Sequence, residues 1–139
     1  MAYSIDILRS YVLWFKSEYS GDQDVFVNNV GIPIDSSYIN IYQGLQTISY
    51  AHIQEHTAYD EPIVVELNIF KNNNPYFEDA RLLEEFVYSI NRFSLYDYSV
   101  IPAINANQLV DIYEVSPRII NRNADWTRFI WIIHCLNVV

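Results

Sequence analysis

The closing segment of the chain, "TRFIWIIHCLNVV", sets the tightest limit on what this polypeptide can fold into. Read as a strand, its alternate positions face opposite sides. Phe129, Trp131, Ile133 and Cys135 fall on one side, and Ile130, Ile132, Leu136 and Val138 on the other, with His134 the only polar member of the second set. A strand that is apolar on both sides is normally covered on both sides. The remainder of the chain must supply two covering layers, or a neighbouring molecule must supply one.

The upstream sequence supplies one layer readily. Ile5, Leu8, Val12, Phe15 and Tyr19 recur at helical spacing and predict a helix over 4–19 with Ser4 as its N-cap. A second helix is predicted over 75–92. Asn74 is its N-cap, Pro75 its first residue, and Glu78, Asp79 and Arg92 are placed to suit the helix dipole. Its stripe is Leu82, Leu83, Phe86, Val87, Ile90 and Phe93. In "IVVELNIF", Ile63, Val65, Leu67 and Ile69 alternate with Val64, Glu66, Asn68 and Phe70, a strand expected to pair with 47–56 through a turn at Asp60, Glu61 and Pro62. "SGDQD" ends the first helical segment, residues 25–44 read as an irregular excursion holding one or two short strands, and 95–108 as a loop. The runs on either side of "RIINRNADWTR" read as a terminal antiparallel hairpin, with Pro117 at an edge or bulge.

With 139 residues, the expectation is a single domain, 1–139, of the α+β class. It holds a mixed, largely antiparallel sheet of four to five strands with two main helices packed on one face. Two readings remain for the other face: a second copy of the chain covers it, or the N-terminal excursion folds over it.

Several chemistries are disfavoured. Glycines at only 21, 31 and 44 leave no Gly-rich phosphate cradle, and there is no G-x-S-x-G and no Cys-x-x-Cys. The single Cys135 lies in an apolar run and reads as a buried thiol. "HIQEH", His52 to His56, fits a zinc-hydrolase pattern only if helical, and its composition favours a strand. Adjacent acids such as Glu84 and Glu85 look like a solvated helix face. No enzyme activity, cofactor or metal is expected. Neither a membrane span nor a leader is expected, since no apolar run is long enough and the first residues lack a basic region.

The net charge of −9 argues against sequence-independent binding of nucleic acid. Against that background, "RIINRNADWTR" (118–128) is an exception. Three arginines and one aspartate make the window +2, which leaves −11 on the rest. Arg118, Arg122, Trp126 and Arg128, with Trp131 on the strand beyond, are the candidate protein-interface residues, because aromatics and arginine dominate binding hot spots. A hydrophobic plug at the base of the hairpin is the other reading of Trp126.

The parts "PIVVELNIFKNNN" leading into "EDARLLEEFVYSI", and the closing "RIINRNADWTRFIWIIHCLNVV", set a layout of helix, strand-poor excursion, hairpin, long helix and terminal hairpin. That layout resembles the tail terminator and tail-to-head joining (tail completion, neck) subunits of long-tailed bacteriophages. The resemblance covers nearly the whole chain and is one of layout, without signature residues. It implies a structural virion protein, assembled in the host cytoplasm as a homo-oligomeric ring, hexameric in that family. Such a ring caps the tail tube, meets the head–tail connector proteins and lets DNA pass through its lumen. The competing class is an acidic monomeric inhibitor, of the anti-defence or toxin-immunity kind, that occupies a basic nucleic-acid-binding site.

Overall fold

The computed structural model describes residues 3–28, 36–44, 50–53, 56–73 and 77–138. Helix α1 (Ser4–Glu18) precedes β1 (Asp24–Val27), β2 (Tyr38–Gln43), β3 (Tyr50–Ile53) and β4 (His56–Phe70). Helix α2 (Glu78–Val87) follows, and then β5 (Arg92–Asp97), β6 (Ile104–Val115), β7 (Ile119–Arg122) and β8 (Trp126–Val138). The class is α+β and the sheet is mixed, with β1 and β2 parallel and the other ladders antiparallel. The sheet is larger than the four to five strands expected. Eight strands join in the order β1-β2-β4-β8-β6-β5, with β3 running along β4 and β7 along β8.

The spine is the antiparallel pair β4–β8, in register from Ala58 opposite Val138 to Phe70 opposite Trp126. One face of this pair carries Ile63, Val65, Leu67 and Ile69 beside Phe129, Trp131, Ile133 and Cys135, all at most 2% exposed. Ile39 and Ile41 of β2 extend that face. Both helices close over it. α1 contributes Ile7, Leu8, Tyr11, Val12 and Phe15 to the same core, and α2 contributes Ala80, Leu83 and Val87. The rings of Trp14 and Phe86 stack 4.7 Å apart between the helices. Burying each such side chain stabilises the fold by about 1.5–3 kcal/mol relative to exposure.

Several elements differ from expectation. The buried stripe of α1 runs through Ile7 and Tyr11, while Ile5 stays 41% exposed, so the helix is rotated from the predicted stripe. Ser4 is inside the helix, and its hydroxyl donates to Glu61 Oε1 at 2.7 Å rather than capping the first turn. The proposed cap Asn74 and Pro75 lie outside the described residues. α2 ends at Val87, and Phe93 and Leu95, placed in a helix and a loop, are buried on β5. β5 pairs with β6, so the "loop" after α2 is a hairpin with a bulge between Ser94 and Tyr96. Strand signals this short are outweighed in the sequence by the strong helical stripe before them.

β4 begins at His56, so the turn is not at 60–62 and Pro62 sits inside a long strand. The ladder explains how it is tolerated. The Gly44 N–H donates to the Pro62 carbonyl at 2.8 Å, which aims Pro62's missing donor at the same edge. There β2 has ended at Gln43 opposite Ile63, and β3 begins only opposite Tyr59. Pro117 interrupts the terminal hairpin between β6 and β7 as expected. Ser116 bridges the gap: its N–H donates to the Ile132 carbonyl and its Oγ accepts from the Ile132 N–H, each at 2.9 Å. Among the described residues, no helix is long and apolar enough to cross a membrane.

Candidate functional site: the open face of the sheet

The second face of the spine is built by the alternate residues of the same strands. β4 presents Asp60, Pro62, Val64, Glu66, Asn68 and Phe70, and β8 presents Trp126, Arg128, Ile130, Ile132, His134 and Leu136. β2 adds Tyr38, Asn40 and Tyr42. Both helices lie on the other side. The described parts of the N-terminal excursion extend the sheet edge as β1 and β2 instead of folding over this face; residues 29–35 and 45–49 lie outside the described residues.

The centre of the open face is a groove of about 510 Å³, lined by Tyr42, Gly44, Pro62, Val64, Ile130 and Ile132, with Asp60 and His134 at one end. No helix residue lines it. Gly44 belongs here because a Cβ would come within 3.0 Å of Pro62.

Two polar clusters flank the groove. At one end Glu66, 7% exposed, accepts from three donors: Arg128 Nε at 3.0 Å, Asn68 Nδ2 at 3.0 Å and the Tyr42 hydroxyl at 2.8 Å. Arg128 Nε also reaches Asn68 Oδ1 at 2.7 Å, and its guanidinium lies 4.4 Å over the Trp126 ring. A carboxylate taken this far from water is stable only when its lone pairs are met in this way. Burial, with the hydrogen bond to Glu66, pushes the Tyr42 hydroxyl up to about 12.

At the other end His134 Nδ1 lies 3.1 Å from both Asp60 oxygens, and the Tyr113 ring packs 5.7 Å from the imidazole. Partial burial of the Tyr113 hydroxyl, followed by the nearby Asp60 carboxylate, raises it to about 12. A tyrosine so raised stays neutral at physiological pH and is no nucleophile. Cys135 is buried on the opposite face; burial first, then the Asp60 and Glu61 carboxylates, push its thiol up and leave it inert. Among the described residues, no group of three or more His, Cys, Asp or Glu side chains could hold a metal ion. "HIQEH" does not form a helix: His52 is on β3 and His56 opens β4, which removes the stacked pair that one zinc ion requires.

The five sequence-predicted interface residues do not form one cluster. Strand alternation sends Arg128 and Trp126 to the open face. Arg122 lies opposite Thr127 and sits over the Phe77 ring at 5.5 Å on the helix side, where Arg118 Nη1 lies 3.7 Å from Glu84. Trp131 must be withdrawn from the set. It is 0% exposed, packs parallel to Phe129 and donates its indole N–H to Glu84 at 2.9 Å. Its alternation places it on the helix-covered side, where it is a core anchor. Arg128 is committed to Glu66 and Asn68 within the chain. The segment 118–128 is itself mostly strand, with the turn at 123–125. Arg122 is therefore the exposed cation beside the tip, and Arg118, at the far end of β7, faces Glu84. The sequence reading missed the Asp60–His134–Tyr113 cluster. The apolar–acidic alternation of "DEPIVVELN" opposite "RFIWIIHCLN" was the available signal, and only the register turns it into pairs.

No family model and no curated protein matches the chain. Among solved structures, one with no descriptive name superposes with a TM-score of 0.52 at 14% identity, over 96% of this chain and 92% of its own. At that identity the likeness is one of fold alone.

Proposed function

We propose that the chain is a structural subunit that works as a closed ring in the tail or neck of a phage particle, with the open sheet face buried against a second copy. The observation that carries this reading is the groove on the spine of the fold. Val64, Pro62, Ile130 and Ile132 belong to the two best-formed strands of the molecule, yet no helix residue covers them. An apolar depression on a central strand pair, rimmed by satisfied polar groups, is what a protein–protein contact needs before assembly.

The layout resemblance to tail terminator and joining subunits supplies the kind of assembly: a ring, sixfold in that family, between tail tube and head connector. The charge distribution agrees. With −11 outside residues 118–128, a ring lumen lined by acids would let DNA pass without sticking, and Arg118 and Arg122 on the terminal hairpin would set register against an acidic partner. An acidic inhibitor fits less well, because the acids are scattered along the chain and three of them, Asp60, Glu61 and Glu66, are buried in polar pairings.

Negative-stain electron microscopy of the purified chain, or of particles carrying it, tests the reading. Closed rings with a central opening are the expected result, and a field of isolated single chains would overturn it. Within particles, Arg118→Ala with Arg122→Ala is expected to leave rings intact while blocking attachment to the tube or connector. Normal attachment would remove these two arginines from the account.

A further inference from the structure

We infer that the β5–β6 arm of one copy seats in the open-face groove of the next, an inference that rests on the ring reading and names the contact that closes it. The arm is the part of the molecule least used by its own fold. β6 residues 104–109 are all exposed, on both faces of the strand. β5 is held down by α1, through Tyr11 against Phe93 at 5.5 Å and a hydrogen bond of 2.9 Å from the Tyr96 N–H to Ser10 Oγ. β6 joins β8 only from Ile112 onward, so its stretch 104–110 has a partner on the β5 side alone among the described residues. A strand with a free edge and apolar side chains standing in water is a ready contact for another chain.

Its apolar content is concentrated near the tip. Ile101 is 99% exposed, Ile104 55%, Leu109 52% and Val100 42%. These four expose on the order of 500 Å² of apolar surface, the scale of a functional patch. Asn105, Asn107 and Gln108 add uncharged polar groups beside them, and the side chains of one face of the arm can enter the groove while those of the other stay outside it.

Electrostatics selects the occupant. Copies of a chain carrying −9 repel, and like charges brought together at an interface are costly. Residues 98–110 contain no charged side chain, and the middle of the groove, from Tyr42 and Gly44 to Ile130 and Ile132, contains none either. These two uncharged apolar surfaces can meet without bringing like charges together. Groove and arm also lie at different ends of the sheet, the groove on β2–β4–β8 and the arm on β6–β5. A contact between two different patches is heterologous, which propagates from copy to copy and closes by rotation into a ring. A two-fold dimer would bury the same patch on both partners.

The test is site-directed cross-linking in the full chain. Ile101→Cys and Ile132→Cys are combined, treated with a short bis-maleimide, and run on a denaturing gel beside each single variant. Cys135, buried and with a raised thiol, stays unreactive in all of them. The double variant is expected to give a covalent ladder beyond the dimer, and neither single variant to give one. A dimer band from Ile101→Cys alone would place arm against arm and overturn the inference. So would the absence of a ladder while light scattering still reports a ring. A single-chain mass for the unaltered protein would instead remove the ring reading itself. As a second variant, Ile101→Asp touches nothing in the core, so folding is retained, and self-association is expected to weaken about tenfold or more. Unchanged association would exclude the arm.

Discussion

The two faces of the β4–β8 pair are made by the same strands and finished in different ways. On the helix-covered face, Ile63, Val65, Leu67, Trp131 and Ile133 are within 2% of complete burial and meet aliphatic and aromatic partners. On the open face the apolar residues form a shallow groove between two polar clusters, and each cluster centres on a carboxylate, Glu66 or Asp60, held by neighbours. One face is finished by the helices, and the other is finished among the described residues by paired polar groups around a few partly exposed apolar side chains. A buried acid that needs three partners adds little net stability, but it fixes the register of β2, β4 and β8. The lesson is that two faces of one strand pair can be finished by different means, aliphatic packing on one and polar pairing on the other.

Substitutions can separate these roles, starting with the largest effect. Trp131→Ala removes a fully buried ring from the covered face and is expected to cost about 3–5 kcal/mol in urea unfolding. Ile132→Ala, one position along on the open face, is expected to cost less in the single chain, about 1–2 kcal/mol, while weakening assembly, because Ile132 is half-buried against Val64 and no helix packs on it. Equal losses at the two positions would erase the distinction between the faces.

Arg128→Ala leaves Glu66 with only Asn68 and Tyr42 and is expected to destabilise by about 2 kcal/mol, less than for a fully buried pair because the guanidinium is partly solvated. Glu66→Gln is expected to recover part of that loss in the double variant, as a double-mutant cycle would report. Additive losses would mean that the pair does not act as a unit.

A smaller effect follows from pH. Tyr42 and Tyr113 are raised from 10.0 to about 12 in the folded chain, so the folded state holds protons that the unfolded state has lost. Stability is complete below pH 10 and is expected to fall as pH rises from 10 through 12. Urea midpoints across that range measure it, with Tyr42 the larger contributor because Tyr113 is 47% exposed, and a flat profile would contradict the Tyr42–Glu66 hydrogen bond. The smallest change is Tyr11→Phe. Its hydroxyl is buried and finds no hydrogen-bond partner among the described residues, so removal is expected to be neutral or to stabilise by up to about 1 kcal/mol. A clear loss of stability would reveal a partner for it.

The sequence made the covered face legible, and the open face much less so. The alternation in "IVVELNIF" and "RFIWIIHC" identified both faces of the spine, and the break at Pro117 could be read directly. Alternation assigns sides, but only the register of β4 against β8 shows that Glu66 meets Arg128 and that Asp60 meets His134. The rotated stripe of α1 shows the same limit, since Ile5 and Ile7 both suit a helical period and tertiary packing chose Ile7. Trp131 was placed correctly by parity yet read as an interface residue, because its sequence neighbours are tip residues. The arm was missed outright. "LYDYSVIPAINANQ" carries Pro, Asn and Ser like a loop, and its strands are made by pairing with each other, not by an apolar face.

The central claim is that a second copy covers the open face. Light scattering of the unaltered chain over a wide concentration range tests it most directly. The account expects one closed assembly of several chains, sixfold if the layout resemblance holds, that dissociates in the Ile101→Asp variant without loss of fold. A mass of one chain at every concentration, with Ile101→Asp behaving identically, would contradict it.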